Sequence, residues 1–300
     1  MGVTSRRYDS SRDYEAVGRF LIDTYPGGDR LPNWMQPRWE YMHHHPFIEG
    51  LPLELILVFE DEGEIVGLVH PEDTLTFIYL QRAPAYDYIL PEMLIHTDKF
   101  FGGTSVMLQR KIIGLFVTDA DTPLEQLATV FGYERHAEQH EGYSRFDLSK
   151  PVPASPVPAG FRIQSLCDEN DHRKINTCLW RGFNHDGEIP DDELNRPAVA
   201  QSAPNFRPEH TITAVAPDGS YVSYAGIWFV PENGLAYIEP VATDPDYRKI
   251  GLARACVYEA MRRVQAEGAR VAWVGSDQPF YKAIGFDKKF QRNLWIKSLD

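Results

Sequence analysis

The stretch Ala236-Tyr-Ile-Glu-Pro-Val-Ala-Thr-Asp-Pro-Asp-Tyr-Arg-Lys-Ile-Gly-Leu-Ala-Arg254 joins an apolar strand to a helix through a short basic loop. The first turn of a helix presents unpaired N–H groups and a partial positive charge, which attract anions. Gly251 has no Cβ to keep an anion from the backbone, and Arg248, Lys249 and Arg254 add positive charge. The stretch predicts a phosphate site, with an ordinary solvated basic turn as the alternative. It matches neither the G-x-G-x-x-G nor the P-loop pattern.

Apolar periodicity predicts alternating strands and helices in the second half of the chain. Strands are expected at residues 161–166, 210–216, 221–230, 235–243, 270–275 and 286–299, and helices at 168–183, 252–267 and 279–284. Residues 184–209 are polar and predict a long loop with a helical turn near 191–194. Pro240 cannot donate to a sheet ladder, so a bulge or a splayed strand edge is expected beside it.

The first half shows a similar order of elements. Helices are expected at residues 10–25, 33–44, 88–101 and 124–131, and strands at 53–60, 64–70, 74–81 and 112–117. In each half a short helix stops at a glycine followed by an aromatic residue, and a β-rich run follows, as at Phe131-Gly-Tyr133 and Ile284-Gly-Phe286. This similarity indicates a distant internal duplication.

A proline-rich segment, residues 149–160, marks the boundary between the halves. It reads Ser-Lys-Pro-Val-Pro-Ala-Ser-Pro-Val-Pro-Ala-Gly, with four prolines and no large aromatic residue. Such a composition predicts an extended, unpacked connector. We therefore expect one domain at residues 1–148 and a second at 161–300.

The charge is unequally divided. The chain has a formal net charge of −13. Residues 1–150 hold 13 Lys and Arg against 24 Asp and Glu, whereas residues 151–300 hold 17 against 19. This balance argues against nucleic acid or an anionic membrane as a partner, and it is compatible with a cationic small substrate or with solubility alone.

Targeting and metal signals are weak. The first residues lack the apolar core of a signal peptide and no apolar run is long enough to span a membrane, so we expect a cytoplasmic protein. Cys167, Cys178 and Cys256 form no Cys-x-x-Cys pair and are expected to be reduced thiols. The run His43-His44-His45 would point its side chains in different directions on a helix, so no metal site is expected.

Arg248-Lys-Ile-Gly-Leu-Ala253 resembles the [RQ]-x-x-G-x-[GA] signature of the GNAT superfamily of N-acetyltransferases. Phe280-Tyr-Lys-Ala-Ile-Gly-Phe286 resembles the second motif of that family, at the expected distance. The resemblance covers roughly residues 161–299, and it implies an α/β (α+β) fold with a mixed, largely antiparallel sheet flanked by helices. The first half has Gln81-Arg-Ala-Pro-Ala-Tyr86 where the signature would stand, so the chain resembles a tandem protein with one degenerate and one competent domain.

The resemblance implies acetyl-CoA as co-substrate. In the family a splayed strand offers backbone groups to the pantetheine arm, and a basic loop holds the pyrophosphate. The family often has Asn after the strand at residues 270–275, where this chain has Gly275-Ser-Asp-Gln278, and either Ser276 or Asp277 could replace that side chain. The corresponding residues here are Val241, Ala242, Thr243, Arg248, Lys249, Ile250, Gly251, Leu252, Ala253, Arg254 and Ser276.

Two residues are candidates for proton transfer. Tyr281 matches the tyrosine that often acts as general acid toward the departing thiolate, with a core tyrosine as the alternative. Glu239 precedes the splayed strand end and could accept the proton of the attacking amine, with a carboxylate paired to an arginine as the alternative. No arrangement of Cys or Ser predicts a covalent intermediate.

In the family the acceptor pocket is built at the place that residues 180–188 occupy here, so the resemblance implies an acceptor pocket in this stretch. Aromatic and acidic side chains there would suit an amine, although a capped helix end with a solvated acidic loop explains them equally well. The residues concerned are Trp180, Phe183, His185, Asp186 and Glu188.

These observations predict an acyl-CoA-dependent N-acetyltransferase acting on a primary amine of a small molecule or peptide by direct attack. The alternatives are a non-catalytic CoA-binding or regulatory protein and a structural tandem scaffold. The sequence leaves open the acceptor, the length of the acyl group and whether the first domain binds a ligand. A homo-oligomer is also left open.

Overall fold

The chain divides into two compact units. The computed structural model describes residues 2–300, apart from the side chains at positions 47, 49 and 192. The first unit comprises the chain up to Met42 together with Phe47–Tyr143 and Lys289–Asp300, and the second comprises His43–Pro46 and Ser144–Lys288. The sequence places the C-terminal run in the second domain, whereas the structure assigns residues 289–300 to the first unit.

The first unit is a sheet with helices packed on it. Its helices are α1 (Ser10–Asp23), α2 (Gln36–His43), α3 (Leu90–Phe100) and α4 (Thr122–Val130). Its strands are β1 (Thr4–Arg7), β2 (Leu57–Asp61), β3 (Glu64–Pro71), β4 (Phe77–Arg82), β5 (Gly103–Ser105), β6 (Arg110–Thr118) and most of β7 (Glu134–Asp147) and β13 (Asp287–Ser298). The order is β1-β2-β3-β4-β6-β13-β7, with β5 on β6.

The second unit, taken by itself, is also built of strands with helices packed on them. Its helices are α5 (His172–Gly182), α6 (Arg196–Gln201), α7 (Leu252–Ala266) and α8 (Pro279–Ala283). Its strands are β8 (Arg162–Ser165), β9 (Ile212–Val215), β10 (Tyr221–Val230), β11 (Leu235–Thr243) and β12 (Val271–Val274). The order is β8-β9-β10-β11-β12, and residues 144–147 of β7 close the sheet beside β12.

The strand pairing within each unit is mixed and largely antiparallel. The recorded parallel pairs are β4 with β6 and β11 with β12, and the remaining recorded ladders are antiparallel. A parallel pair needs a crossover connection, which α3 and α7 supply in their respective units. The predicted fold class is thereby confirmed. The short elements β1, β5 and α6 were not predicted, because pieces of three to six residues carry little periodicity.

The C-terminal strand is fixed in the first unit by a buried arginine. The β13 residues from Arg292 to Ser298 pair antiparallel with β6 residues 118 to 112. Arg292 is only 2% exposed; its guanidinium donates to Asn33 O and, at 2.5 Å, to Glu141 Oε2. It also lies 4.8 Å from the centre of the Tyr143 ring. A buried guanidinium must be paired, so this network fixes the place of the strand.

Helix α7 packs against the strands of the second unit and forms part of its hydrophobic core. It places Cys256, Val257, Ala260, Met261 and Val264 against the sheet, as its 3.6-residue apolar pattern predicts. Because α7 is held along its length, its first turn has a fixed position relative to the end of β11.

The proline-rich segment is extended but packed. Val152 is 8% exposed and belongs to the core of the second unit. The predicted connector is therefore wrong in one respect, because an apolar side chain between the prolines is buried against that unit.

Candidate functional site

The parallel strands of the second unit separate partway along their length. The pairing of β11 with β12 runs only from Leu235↔Val271 to Tyr237↔Trp273, although β11 continues to Thr243. On its other side β11 remains paired with β10 as far as Thr243. One edge of β11 is therefore open over its last residues.

A bulge lies at the point of separation. Ala225 pairs with Val241 and Ile227 with Ile238, so one extra residue stands on β11 opposite Gly226. A Cβ at Gly226 would lie 2.6 Å from Glu239 O, which explains the need for glycine there. The bulge predicted beside Pro240 is confirmed.

A cavity of about 820 Å³ occupies the opening. Its walls are the end of α5, the end of β11, the following loop with the start of α7, and α8. A volume of this size suits a ligand of the size of a cofactor arm. The residues predicted for the cofactor all line it except Ser276, namely Val241, Ala242, Thr243, Arg248, Lys249, Ile250, Gly251, Leu252, Ala253 and Arg254.

The loop presents a row of backbone donors to this cavity. Lys249 has φ +65° and Gly251 φ +94°, and Gly251 is the N-cap of α7 with no side-chain cap. Among the described residues, no recorded hydrogen bond occupies the N–H groups of residues 249–254, and the first helical bond is Ala255 N to Gly251 O. The loop thus forms a concave set of donors at a helix start, which is suited to an anion.

Arg248 holds the loop rather than projecting freely into the cavity. Its Nε donates to Thr243 O at 3.0 Å, and its Nη2 donates to Gly182 O and Asn184 Oδ1, both at 2.8 Å. The guanidinium therefore ties the end of β11 to the end of α5.

A buried aspartate fixes the turn between β11 and the loop. Asp244 is 7% exposed and accepts from Arg181 Nη2 at 3.0 Å and from Asp246 N at 3.0 Å. The bond from Arg181 holds the pKa of Asp244 below its usual value, although burial opposes this effect. The turn is consequently charged and rigid at neutral pH.

Tyr281 lines the cavity and lies near Glu239. Tyr281 is 8% exposed, and its ring packs edge-on to Phe280 at 5.0 Å. Burial, and then the charge of Glu239, raise the pKa of Tyr281 well above its usual value. Glu239 itself is half-buried on β11 and is not among the cavity-lining residues.

The predicted acceptor residues are not brought together. Phe183 lines the cavity and is 48% exposed. Trp180 lies outside it, with its ring stacked at 4.3 Å on His185 and its Nε1 donating to Gly187 O. Asp186 and Glu188 are exposed and do not line the cavity, so of these five residues only Phe183 lies in the site.

Sequence reasoning missed part of the cavity wall. Gly182, Tyr247, Gln278 and Phe280 line it as well. Ser276, predicted in this region, instead accepts the N–H of Gln278 at 3.3 Å, which places Gln278 rather than Ser276 at the cavity. Phe280 stands in a quoted motif, but nothing in the sequence marks Gln278.

In the first unit an ion pair lies at the end of β4, whereas in the second unit the cavity lies at the end of β11. Arg82 ends β4 and donates to both carboxylate oxygens of Asp121, at 2.7 and 2.9 Å. Asp121 also caps α4 through the N–H of Leu124. Each side chain of the pair is only about a tenth exposed. This ion pair neutralises the charge of Arg82 at the end of β4, which agrees with the lack of the glycine-containing signature in residues 81–86.

No cysteine or histidine side chain is among the described residues that line the cavity. Cys178 and Cys256 are unpaired and buried, and burial raises the pKa of the Cys256 thiol to about 12. Cys167 is unpaired and exposed. His45 is buried, which lowers its pKa to about 4.

Within the described part of the chain, no group of three His, Cys, Asp or Glu is placed to hold a metal ion. None of its helices combines the length and apolarity needed to cross a bilayer.

Comparisons with known proteins agree with this geometry. Residues 173–286 match the acetyltransferase (GNAT) family, and the second half therefore contains a GNAT domain. A search of curated proteins found no significant sequence match.

Solved structures resemble the whole chain. A GCN5-related N-acetyltransferase from Sphaerobacter thermophilus has 16% identity and a TM-score of 0.63, covering 98% of this chain and 95% of that one. A tandem GNAT protein from the clavulanic acid biosynthesis pathway has 14% identity and a TM-score of 0.65, covering 99% and 98%. A GCN5-related N-acetyltransferase from Kribbella flavida has 14% identity and a TM-score of 0.53, covering 96% of this chain and 95% of that one. At such identities the likeness shows the fold, which is that of a tandem GNAT protein.

Proposed function

We propose that this chain, a tandem GNAT protein with a family-matched GNAT domain at residues 173–286, is an acyl-CoA-dependent N-acetyltransferase. The observation that carries the proposal is the cavity at the opening of β11, lined by the loop with its unoccupied N–H groups. The acceptor is a primary amine of a small molecule or peptide. The cytoplasmic location of the protein remains a prediction.

The residues of the site fit the two ends of acyl-CoA. The open edge of β11 at Val241 and Ala242 offers backbone groups to the amides of a pantetheine arm. The N–H groups of residues 249–254 and the guanidinium of Arg254 would hold the pyrophosphate. The first turn of α7 adds its partial positive charge to that of the guanidinium.

Tyr281 would stabilise the leaving thiolate. Its raised pKa keeps the phenol protonated at neutral pH, so a hydrogen is available to donate. Because that pKa lies above that of an ordinary thiol, the phenol would act by donating a hydrogen bond to the developing charge, with full proton transfer less favoured. In the reaction the amine nitrogen forms a bond to the acyl carbon, and the bond from that carbon to sulfur breaks.

Glu239 would receive the proton that the amine loses. It stands on β11 beside the bulge, and its charge acts on Tyr281. A carboxylate close to the reacting groups can take the proton directly or through water. The same charge would favour a cationic acceptor near the site.

The test is thiol release from acetyl-CoA across a panel of amines that includes an amino acid, a polyamine, an aminoglycoside and a peptide. We expect Tyr281→Phe and Glu239→Gln each to lower kcat by about 100- to 10,000-fold, in line with the loss of one general acid or base. Tyr221→Phe is the matched control, because that phenol donates to Glu169 O at 2.8 Å and does not line the cavity. CoA binding without thiol release for any amine would support a non-catalytic CoA-binding protein instead.

A further inference from the structure

The proline-rich segment 149–160, called the strap below, follows one face of α7 in the second unit. Near the end of the helix, Gln265 Nε2 donates to Lys150 O at 2.7 Å. One turn earlier, Arg262 Nη2 donates to Pro153 O at 3.2 Å. The strap therefore runs antiparallel to the helix, toward its first turn.

The strap reaches the loop that lines the cavity. Arg254, in the first turn of α7, donates from Nε to Ser155 Oγ at 3.1 Å. From Arg254 to Gln265 an α-helix rises about 16 Å. Extended backbone from Lys150 to Ser155 covers about the same length. The match in length allows the three side chains of α7 to hold the strap in one register.

The strap is also fixed by its own composition. Val152 is buried in the core of the second unit, between Pro151 and Pro153. Proline restricts φ, so an extended segment of this kind loses little conformational freedom when it docks. Ser155 is consequently held in place at the end of a stiff segment.

Arg254 is the side chain that this arrangement orients. It lines the cavity, and its Nη2 lies 3.5 Å from the position that a Cβ on Gly251 would occupy. Within the described residues, Ser155 is the recorded acceptor for this guanidinium. Its terminal nitrogens are thus left for a ligand, while Nε is used for orientation.

We propose that Ser155 is a positioning residue for acyl-CoA, fixing the Arg254 guanidinium over the loop where the pyrophosphate is held. The inference rests on the proposed function of the same cavity. It makes the strap part of the co-substrate site as well as the boundary between the two halves of the chain.

The test compares Ser155→Ala with the wild-type full chain. We expect about a three- to tenfold rise in KM for acetyl-CoA and in the Kd of CoA, with kcat unchanged, which is the effect of losing one hydrogen bond of ordinary strength that orients Arg254. Acetyl-pantetheine, which lacks the pyrophosphate, should show the same KM with both proteins. Ser155→Thr keeps the acceptor oxygen and should restore the wild-type KM.

Ser149→Ala is the matched control, because Ser149 lies on the strap and donates to Asp147 Oδ1, away from the cavity. In the Arg254→Ala background, Ser155→Ala should have no further effect on the Kd of CoA. An unchanged Kd in Ser155→Ala, an equal loss toward acetyl-pantetheine, or additive effects of the two substitutions would each overturn the inference. Failure of the wild-type chain to bind CoA would instead overturn the proposed function.

Discussion

Replacing Gly251 by glutamate tests the anion site most directly. At φ +94° any L-residue is strained, which costs about 1–2 kcal/mol of folding free energy. The space itself is adequate, since the nearest atom to a Cβ there is Arg254 Nη2 at 3.5 Å. The strain therefore affects stability, whereas the charge affects the ligand.

The loss of affinity follows from Coulomb's law. A carboxylate about 5 Å from one phosphate charge is repelled by about 3 kcal/mol at an effective dielectric constant of about 20. Each 1.4 kcal/mol corresponds to about a tenfold change in Kd, so CoA should bind about 100-fold more weakly. The new carboxylate would also compete with the ligand for Arg254.

Titration calorimetry with CoA measures the effect, and Gly219→Glu provides the matched control. Gly219 has φ +87° in the turn between β9 and β10, a Cβ there would have no atom within 4 Å, and the residue does not line the cavity. That variant should lose similar stability and keep its affinity for CoA. An unchanged Kd in a folded Gly251→Glu protein would refute a pyrophosphate site at this loop.

Two further predictions concern buried charges. Arg292→Ala should destabilise the first unit by about 3–5 kcal/mol, because it removes the closest guanidinium of the Glu141 carboxylate, and the Arg38 guanidinium is more distant at 3.7 Å; urea unfolding followed by hydrogen exchange in β4 measures the loss, and unchanged protection there would contradict it. Asp244→Asn should destabilise the second unit by about 1–3 kcal/mol at about pH 7. Since the folded state lowers the pKa of Asp244, this contribution is present above its unfolded pKa and is lost as the pH falls through its folded pKa, so the two proteins should converge in acid. A constant difference across that pH range would show that the charge of Asp244 is not what stabilises the turn.

The cavity-lining residues were predicted most accurately in the segment where the chemical character of the side chains and the local sequence pattern indicate the same site. The residues from Val241 to Arg254 combine an apolar strand, a proline, a glycine and a helix start in contiguous order, so their geometry follows from local rules. The end of α5 was predicted as an acceptor site from the family resemblance and from its aromatic and acidic composition. There Phe183 reaches the cavity, whereas Trp180 and His185 stack on each other.

Strand partners could not be predicted in the same way. Alternation of apolar residues indicates that residues 286–299 form a strand, but it does not determine the strands with which these residues pair. The choice depends on long-range contacts, above all those of Arg292 with Glu141 and Asn33. The strap shows the same limit, because proline content predicts extension while the burial of Val152 depends on a distant core.

The placement of β13 has a consequence for biosynthesis. The first unit includes residues 289–300, which leave the ribosome after the rest of this sequence, so its sheet is incomplete until they have been made. The second unit, which ends at Lys288, has all its strands a few residues earlier. Residues 289–300 are therefore needed to complete the sheet of the first unit, and a nascent chain that does not yet contain them would expose the unpaired edge of β6 to aggregation.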